Sequence, residues 1–285
     1  MRFFPEALEL PDSTFVILRD LIHDRTGIYY NENKRYMLAE RLTPRVIARE
    51  LESFLDYYYL LKYDSKSQDE WLALMDNLSV PETFFWREFD QIEILSEVLL
   101  PQYQEQWPAH RSYQRPLKIW SAACATGEEP LSIAIALQEK GWFHKLPIEI
   151  YASDASPQAI SKARAGIYRE YSFRTLSDQL KNKYFEKTDV GWQISNQIHQ
   201  HIHWSVANLL CPEEIKFLSK ADVIFCRNVF IYFSDTAIKK TAELFFQAMP
   251  NPGYLFLSAS ESLLKLKTKF ELVQMQGAFV YVKKS

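Results

Sequence analysis

Apolar side chains recur at helical spacing over roughly the first eighty residues of the chain. The apolar positions of residues 15–22 lie between a cap candidate at residues 12–13 and a stop signal at Gly27. A second cap signal, of the capping-box form, stands at residues 67–70 and leads into another helical pattern. These patterns predict an all-helical domain at residues 1–80.

The pattern changes after residue 116 to apolar runs of strand length separated by helical patterns. The apolar runs lie at residues 117–122, 148–152, 223–226 and 254–259, and the helical patterns lie at residues 130–140, 156–165 and 234–249. This order predicts a parallel sheet that binds ligands at the carboxyl ends of its strands. Two final runs, at 270–275 and 278–282, predict an antiparallel hairpin. The fold class is therefore α/β, with a doubly wound, Rossmann-like domain at residues 81–285.

Composition narrows the class of protein. The formal net charge is −3, which argues against bulk nucleic-acid binding because that function normally shows as a strong basic excess. The three cysteines, Cys124, Cys211 and Cys226, have no metal-like spacing and suit a reducing compartment. No apolar run reaches transmembrane length, and residues 1–5 lack the apolar core of a secretory signal. We expect a cytoplasmic, monomeric protein without membrane insertion.

The junction at residues 120–130 carries the most specific chemical signal. An apolar strand ends there in a string of small residues, and a helical pattern resumes at Pro130, a residue suited to the first helical position. Small side chains let a ligand come close to the backbone. The loop holds two carboxylates, Glu128 and Glu129, and no lysine, so it suits hydroxyls and positive charge better than phosphate. S-Adenosylmethionine, with its ribose and sulfonium cation, fits that description.

Polar side chains at two other strand ends are candidates for contact with the same ligand. Asp154 is placed either to accept hydrogen bonds from both ribose hydroxyls or to cap the helix that starts near Ser156. Arg227 and Asn228 directly follow an apolar run, which suggests a site because an unpartnered buried guanidinium is costly. The alternative is an arginine that emerges into solvent. Tyr232 suits either an ordinary core or, through its π face, a bound sulfonium.

Three histidines, His199, His201 and His203, alternate along a predicted strand and would therefore share one face. Successive positions on one face of a strand lie about 6.6 Å apart, so a single ion would not easily bind all three imidazoles. A solvated strand face is the better interpretation, and we expect no metal site.

Five segments occur in an order that specifies a family. They are residues 81–87, 121–130, 152–154, 207–210 and 226–233. By itself, the first segment predicts only an aromatic plug at the domain boundary. Together the five resemble the CheR-type chemotaxis-receptor methyltransferases, which move a methyl group from S-adenosylmethionine to receptor glutamates. Residues 33–36 and 40–42 resemble that family's helical domain, so the resemblance covers nearly the whole chain.

The resemblance implies a role for each matching position. Thr83 and Arg87 correspond to cofactor contacts from the linker, with Arg87 near the reacting methyl group. Glu129 and Asp154 correspond to the acidic residues at the amino-acid and ribose ends of the cofactor. The other correspondences are Asn208 and Leu209 around adenine, Arg227 and Asn228 closing the pocket, and Tyr232 beside Arg87. Arg87 and Tyr232 are the catalytic residues in this scheme, with S-adenosylmethionine as cofactor and S-adenosylhomocysteine as product.

Three features depart from the family's pattern. Pro81 stands where an asparagine is frequent, which removes one cofactor hydrogen bond, although a Pro-Glu-Thr version occurs in one branch. Pro44 falls inside the expected basic helix and predicts a kink, or a restart with Thr43 as cap. Residues 185–194 correspond to a β insertion with which some members bind the receptor's C-terminal tail, but here the turn is short. We expect no dependence on such a tether.

The implied function is protein-glutamate O-methylation of the cytoplasmic helical domain of methyl-accepting chemotaxis receptors in sensory adaptation. Glutamate is already ionised at neutral pH, so catalysis needs positioning and desolvation rather than a general base. The basic residues Lys34, Arg41, Arg45 and Arg49 fall on one helix face and either hold acidic receptor helices or are merely solvated. Two alternatives stay open: a related methyltransferase with another acceptor, and a noncatalytic receptor-binding module.

Overall fold

The computed structural model describes residues 8–65, 67–106 and 115–284 of the chain. The beginning of the proposed helical domain, including residues 1–5, lies outside these ranges. Within the described ranges, no helix is both long enough and apolar enough to cross a membrane.

A bundle of short helices forms the N-terminal domain. Its helices are α1 (Asp12–Thr26), α2 (Arg35–Ala48), α3 (Phe54–Tyr63) and α4 (Ser67–Leu78). The stop predicted for α1 is confirmed, because Gly27 ends this helix with a left-handed φ of 78°. One apolar cluster, which includes Leu18, Leu42, Tyr57 and Leu74, packs the four helices together.

The helix α2 continues through Pro44. The predicted restart is wrong, because the Thr43 hydroxyl does not cap a new helix but donates to the Ala39 carbonyl one turn back, at 2.7 Å. Leu38, Leu42 and Val46 are buried along one side of α2 on both sides of the proline. Packing of these three side chains stabilises the helix and compensates for the backbone hydrogen bond that the proline removes.

A helical connection leads from the linker into the second domain. It consists of α5 (Phe89–Ile94), a π-helical turn (Leu95–Leu99) and α6 (Leu100–Gln106).

The second domain is built on a seven-stranded sheet with the order β6-β2-β1-β7-β8-β10-β9. Its strands are β1 (Leu117–Ala122), β2 (Ile148–Asp154), β6 (Ile202–Val206), β7 (Val223–Phe225), β8 (Gly253–Phe256), β9 (Glu271–Met275) and β10 (Ala278–Lys283). The first five are parallel, and β9 and β10 form the predicted antiparallel hairpin. The α/β, doubly wound, Rossmann-like prediction is therefore confirmed.

A smaller antiparallel sheet lies beside the large one. It comprises β3 (Ile167–Tyr168), β4 (Phe185–Thr188) and β5 (Gly191–Ile194), in the order β3-β5-β4. Asp189 and Val190 alone connect β4 to β5, in agreement with the short turn expected there.

The helices of the second domain are α7 (Glu128–Glu139), α8 (Trp142–Lys145), α9 (Pro157–Ala165), α10 (Asp178–Tyr184), α11 (Asn196–His199), α12 (Pro212–Ile215) and α13 (Asp235–Ala248). The start predicted for α7 is two residues too late. Pro130 is its third helical residue rather than its first, which the helix tolerates because N–H groups of the first turn have no partner within the helix.

Candidate cofactor site

The loop between β1 and α7 bends through residues with unusual backbone angles. Ala123 has φ 59°, Ala125 has φ 48° and Gly127 has φ 97°, all in the left-handed region. A Cβ on Gly127 would lie 2.8 Å from the Trp204 ring, so packing as well as backbone angle requires glycine there. Ala123 and Ala125, in contrast, line a cleft at the carboxyl ends of the parallel strands. Their small side chains leave room for the close ligand approach that the sequence predicted.

Asp154, at the end of β2, holds this loop in place. One of its carboxylate oxygens accepts a hydrogen bond from the Ala125 N–H and the other accepts from the Ser156 N–H, each at 2.9 Å. The cap of α9 is the Ser156 hydroxyl, which accepts from the Ala159 N–H, so Asp154 does not replace it as the cap residue. Each oxygen of Asp154 retains capacity for another hydrogen bond, and the side chain lines the cleft.

A buried ion pair forms one side of the cleft. The Arg227 Nε donates to a carboxylate oxygen of Glu129 at 2.6 Å, and the Ser121 hydroxyl donates to the other oxygen at 2.6 Å. The Arg227 side chain is 2% exposed, which rules out the alternative of an arginine emerging into solvent. A further N–H of its guanidinium donates to the Glu88 carbonyl at 3.1 Å. Arg227 thereby fixes the direction of the Glu129 carboxylate.

The linker contributes both a plug and cleft residues. Phe85 is fully buried and packs edge-on against Tyr168 and Phe185 of the small sheet, with ring centroids 4.9 Å away in each case. Thr83 and Arg87 line the cleft, and an Arg87 guanidinium N–H donates to the Glu82 carbonyl at 2.8 Å. The aromatic plug and the ligand-facing residues are thus different positions of one segment.

The helical domain closes the other side of the cleft. The Tyr29 N–H donates to the Tyr232 carbonyl at 2.9 Å, and Ile28 forms an antiparallel bridge with Phe233. The Asn208 side-chain amide donates to the Arg25 carbonyl at 2.8 Å. Residues of the helical domain that line the cleft are Thr26, Ile28, Met75, Leu78, Ser79 and Val80. No local sequence signal singles them out, because their role depends on how the domains pack.

The cleft brings together the candidate residues from five separate segments. It encloses about 960 Å³ including its open mouth. The predicted residues that line it are Thr83, Arg87, Glu129, Asp154, Asn208, Leu209, Arg227, Asn228 and Tyr232. Two carboxylates and an apolar wall that includes Leu78 and Leu209 suit a nucleoside that carries positive charge. This donor set fits S-adenosylmethionine.

Comparison with known proteins identifies the family. The model of the CheR methyltransferase SAM-binding domain matches residues 81–279, and the model of the CheR methyltransferase all-alpha domain matches residues 13–79. The chain belongs to the CheR methyltransferase family. It is therefore an S-adenosylmethionine-dependent methyltransferase, and the expectation of this cofactor is confirmed.

Relatives match this CheR family member over nearly its whole length. It is 34% identical to chemotaxis protein methyltransferase 2 of Vibrio cholerae serotype O1, with 96% of this chain and 94% of the relative covered. It is 32% identical to the chemotaxis protein methyltransferase of Salmonella typhimurium, with 97% and 92% covered. The corresponding Escherichia coli protein is 30% identical, with 97% and 92% covered.

The four basic candidates within and directly flanking α2 lie outside the cleft of this CheR methyltransferase. Lys34 is exposed, and an Arg41 guanidinium N–H donates to the Asn77 carbonyl at 3.1 Å. Arg45 and Arg49 both donate to the carboxylate of Glu70, which is fully buried on α4. Arg45 and Arg49 therefore join α2 to α4, a contact that the sequence pattern does not indicate.

The histidines do not share a strand face, and that expectation is wrong. His199 ends the short helix α11, His201 follows it, and only His203 lies in β6. The His199 Nε2 contacts the Ala163 carbonyl at 3.0 Å, whereas His201 stacks on Phe143 with ring centroids 3.8 Å apart. Within the described ranges, no group of three or more His, Cys, Asp or Glu residues could hold a metal ion.

Proposed function

We propose that this protein is a protein-glutamate O-methyltransferase that modifies the cytoplasmic helical domain of methyl-accepting chemotaxis receptors in sensory adaptation. The relatives named above as chemotaxis protein methyltransferases support this activity. We propose that it takes place in the cytoplasm. The product S-adenosylhomocysteine would leave the same cleft.

One observation supports glutamate as the methyl acceptor. The Arg87 guanidinium lines the cleft and forms no salt bridge with any carboxylate of the described residues, although it donates to the Glu82 carbonyl. A cation without a carboxylate partner suits an anion in the cleft, either the carboxylate of bound S-adenosylmethionine or that of a glutamate acceptor. Since a glutamate side chain is ionised at neutral pH, the acceptor needs no proton removal. A noncatalytic binding module would not require this group in the cleft.

The proposed division of labour follows from the contacts of each residue. Bound S-adenosylmethionine supplies the methyl group. Asp154 accepts from the ribose hydroxyls, and Glu129, oriented by Arg227, accepts from the ammonium group. The adenine contacts are Asn208 and Leu209, with Thr83 and Asn228 as further cofactor contacts. Arg87 and Tyr232 orient either the cofactor or the incoming carboxylate and exclude water from it.

We propose that residues 1–80 recognise the receptor, with Lys34, Arg41, Arg45 and Arg49 facing its acidic helices. Arg45 and Arg49 share one buried carboxylate, Glu70, and two positive charges against one negative charge leave this cluster with one net positive charge. Because Lys34 and Arg41 add further positive charge along α2 and the turn before it, this segment suits an acidic partner.

The test of this function is a methyl-transfer assay. The protein is incubated with labelled S-adenosylmethionine and host membranes, and receptor-sized bands are treated with mild alkali. Release of labelled methanol is expected, because a methyl ester is hydrolysed whereas an N-methyl group is not. Arg87→Ala should lower the transfer about a hundredfold or more, the range for misplacement of a reacting group by about 1 Å. Label that resists alkali would refute glutamate as the acceptor.

Matched variants separate the site from general effects. Arg164→Ala is the control, since Arg164 is exposed and also donates to a backbone carbonyl, that of Trp204, at 2.8 Å. It should transfer methyl groups normally. For receptor recognition, Lys34→Glu with Arg41→Glu should weaken transfer and its salt sensitivity without changing the affinity for S-adenosylhomocysteine. Unchanged transfer across salt concentrations would instead favour a solvated face. Arg45 is not changed to glutamate here, because the new carboxylate would lie against that of Glu70.

A further inference from the structure

One carboxylate joins the loops that follow β7 and β8. A carboxylate oxygen of Glu261 accepts from the Phe230 N–H at 2.7 Å and from the Ile231 N–H at 3.3 Å. The other oxygen accepts from the Asn228 N–H and the Ser258 N–H, each at 2.9 Å, and from the Ser258 hydroxyl at 2.8 Å. Backbone N–H groups of one tight loop thus converge on a single anion, in the manner of an anion-binding nest.

The loop that Glu261 holds is the one that carries Arg227, Asn228 and Tyr232 into the cleft. Asn228 has a φ of 59°, in the left-handed region that residues other than glycine rarely adopt. Such a conformation persists only where surrounding contacts determine it. The bond from the Asn228 N–H to Glu261 is the contact that acts at this residue's own backbone.

The base of the same loop is fixed independently of Glu261. Residues of β7 pair with β8 along Val223–Phe225, and the Cys226 N–H donates to the Phe256 carbonyl at 2.9 Å. The side-chain amide of Gln91 donates to the Leu257 carbonyl at 2.8 Å and anchors the second loop. Loss of Glu261 should therefore loosen residues 228–231 without separating the strands.

We propose that Glu261 is a positioning residue of the methyltransferase site. Its carboxylate does not line the cleft. Instead it fixes the conformation of the backbone from which the Asn228 and Tyr232 side chains reach the cleft. Glu129 fixes the neighbouring Arg227 guanidinium, and the Tyr29 N–H donates to the Tyr232 carbonyl, so Glu261 holds the part of the loop between these two contacts. This inference depends on the cofactor cleft and not on glutamate as the methyl acceptor.

The test uses Glu261→Gln, which keeps the size of the side chain but replaces one acceptor oxygen with an NH₂ group that faces N–H donors. Calorimetry should show an affinity for S-adenosylhomocysteine about tenfold or more below that of the wild type, as for loss of a charge-assisted contact. The turnover number at saturating cofactor should fall as well. Both are measured well below the unfolding midpoint, where the variant is fully folded.

Two further variants keep the test decisive. Glu271→Gln is the control. Glu271 lies on the outer strand β9, away from the cleft, and forms an ion pair with Lys284. Glu261→Asp retains the charge but is shorter, so it should give an intermediate affinity and replaces Glu261→Gln if that variant does not fold. If folded Glu261→Gln binds S-adenosylhomocysteine like the wild type, or if Glu261→Asp does so where Glu261→Gln does not fold, the carboxylate is only a structural link and the proposal fails. Since calorimetry needs no methyl acceptor, this outcome is distinct from failure of receptor methylation.

Discussion

Two buried carboxylates, one in each domain, have opposite surroundings. Glu70 of the helical domain is fully buried and accepts hydrogen bonds from Arg45, Arg49 and the Tyr57 hydroxyl. Asp154 of the methyltransferase domain is 8% exposed and forms no salt bridge within the described ranges. Its partners are backbone N–H groups, including those of Ala125 and Ser156, and its remaining hydrogen-bonding capacity lies at the cleft.

The two environments shift the two pKa values in opposite directions. Burial by itself favours neutral Glu70, but hydrogen bonds from Arg45, Tyr57 and Arg49 outweigh it and hold the Glu70 pKa below its ordinary value. Burial raises the pKa of Asp154, and hydrogen bonds from the backbone of Ser156 and Ala125 oppose this only in part. Glu70, which is paired with two arginines, therefore stabilises the fold. Asp154 has no cation partner, so its carboxylate is available to a ligand but lowers the stability of the fold.

Glu70→Gln should have the largest effect, and it should act on folding. The change leaves two guanidiniums without their shared carboxylate, at a cost of about 3 kcal/mol, the lower end of the range because both arginines reach solvent. Denaturant unfolding measures this loss. Glu139→Gln is the matched control: Glu139 also accepts from a lysine and a tyrosine, Lys183 and Tyr184, but at the surface, so it should lose less than about 1 kcal/mol. Equal losses would contradict the comparison.

Asp154→Ala should come next and should act on binding. Loss of two charge-assisted hydrogen bonds to ribose should lower the affinity for S-adenosylhomocysteine by about 1.5–3 kcal/mol in calorimetry. Asp222→Ala is the control, since Asp222 is a buried carboxylate paired with Arg115 just before β7, at the end of the sheet away from the cleft. It should destabilise the protein and leave affinity unchanged. Unchanged affinity in Asp154→Ala would refute the ribose assignment.

The smallest effect should appear in the pH dependence. As the pH falls, the affinity for S-adenosylhomocysteine should decline before the stabilisation by Glu70 is lost. An acid whose pKa is raised by folding is protonated first as pH falls, so affinity for S-adenosylhomocysteine should decline above the ordinary aspartate pKa of about 3.9. An acid whose pKa is lowered contributes stability that is present above its unfolded pKa, about 4.3 for Glu70, and is lost as pH falls through the folded value. Calorimetry and unfolding at a series of pH values test the order. The contribution of Glu70 is the difference in unfolding free energy between wild type and Glu70→Gln, and the comparison fails if this difference shrinks before affinity declines.

Much of the methyltransferase domain could be predicted because its signals are local. The strand at residues 117–122 and the hairpin near the C-terminus follow from runs of apolar residues and the turns between them. Cap signals also act over a few residues, as at Ser156, whose hydroxyl caps α9. The helical restart near Pro44 was wrong because a buried stripe along α2 outweighs a local breaking signal.

The sequence by itself determined the order of most of the longer helices and strands and the polar residues at the strand ends, since both depend on neighbours along the chain. The tertiary structure alone decided which charged groups meet. Glu70 lies 21 residues from Arg49, Arg227 lies 98 residues from Glu129, and Asn228 lies 33 residues from Glu261. Residues of the N-terminal helical domain likewise line the cleft only because the two domains pack together. Periodicity specifies that a side chain is buried, but the partner of a buried charge is chosen by whichever segment packs against it.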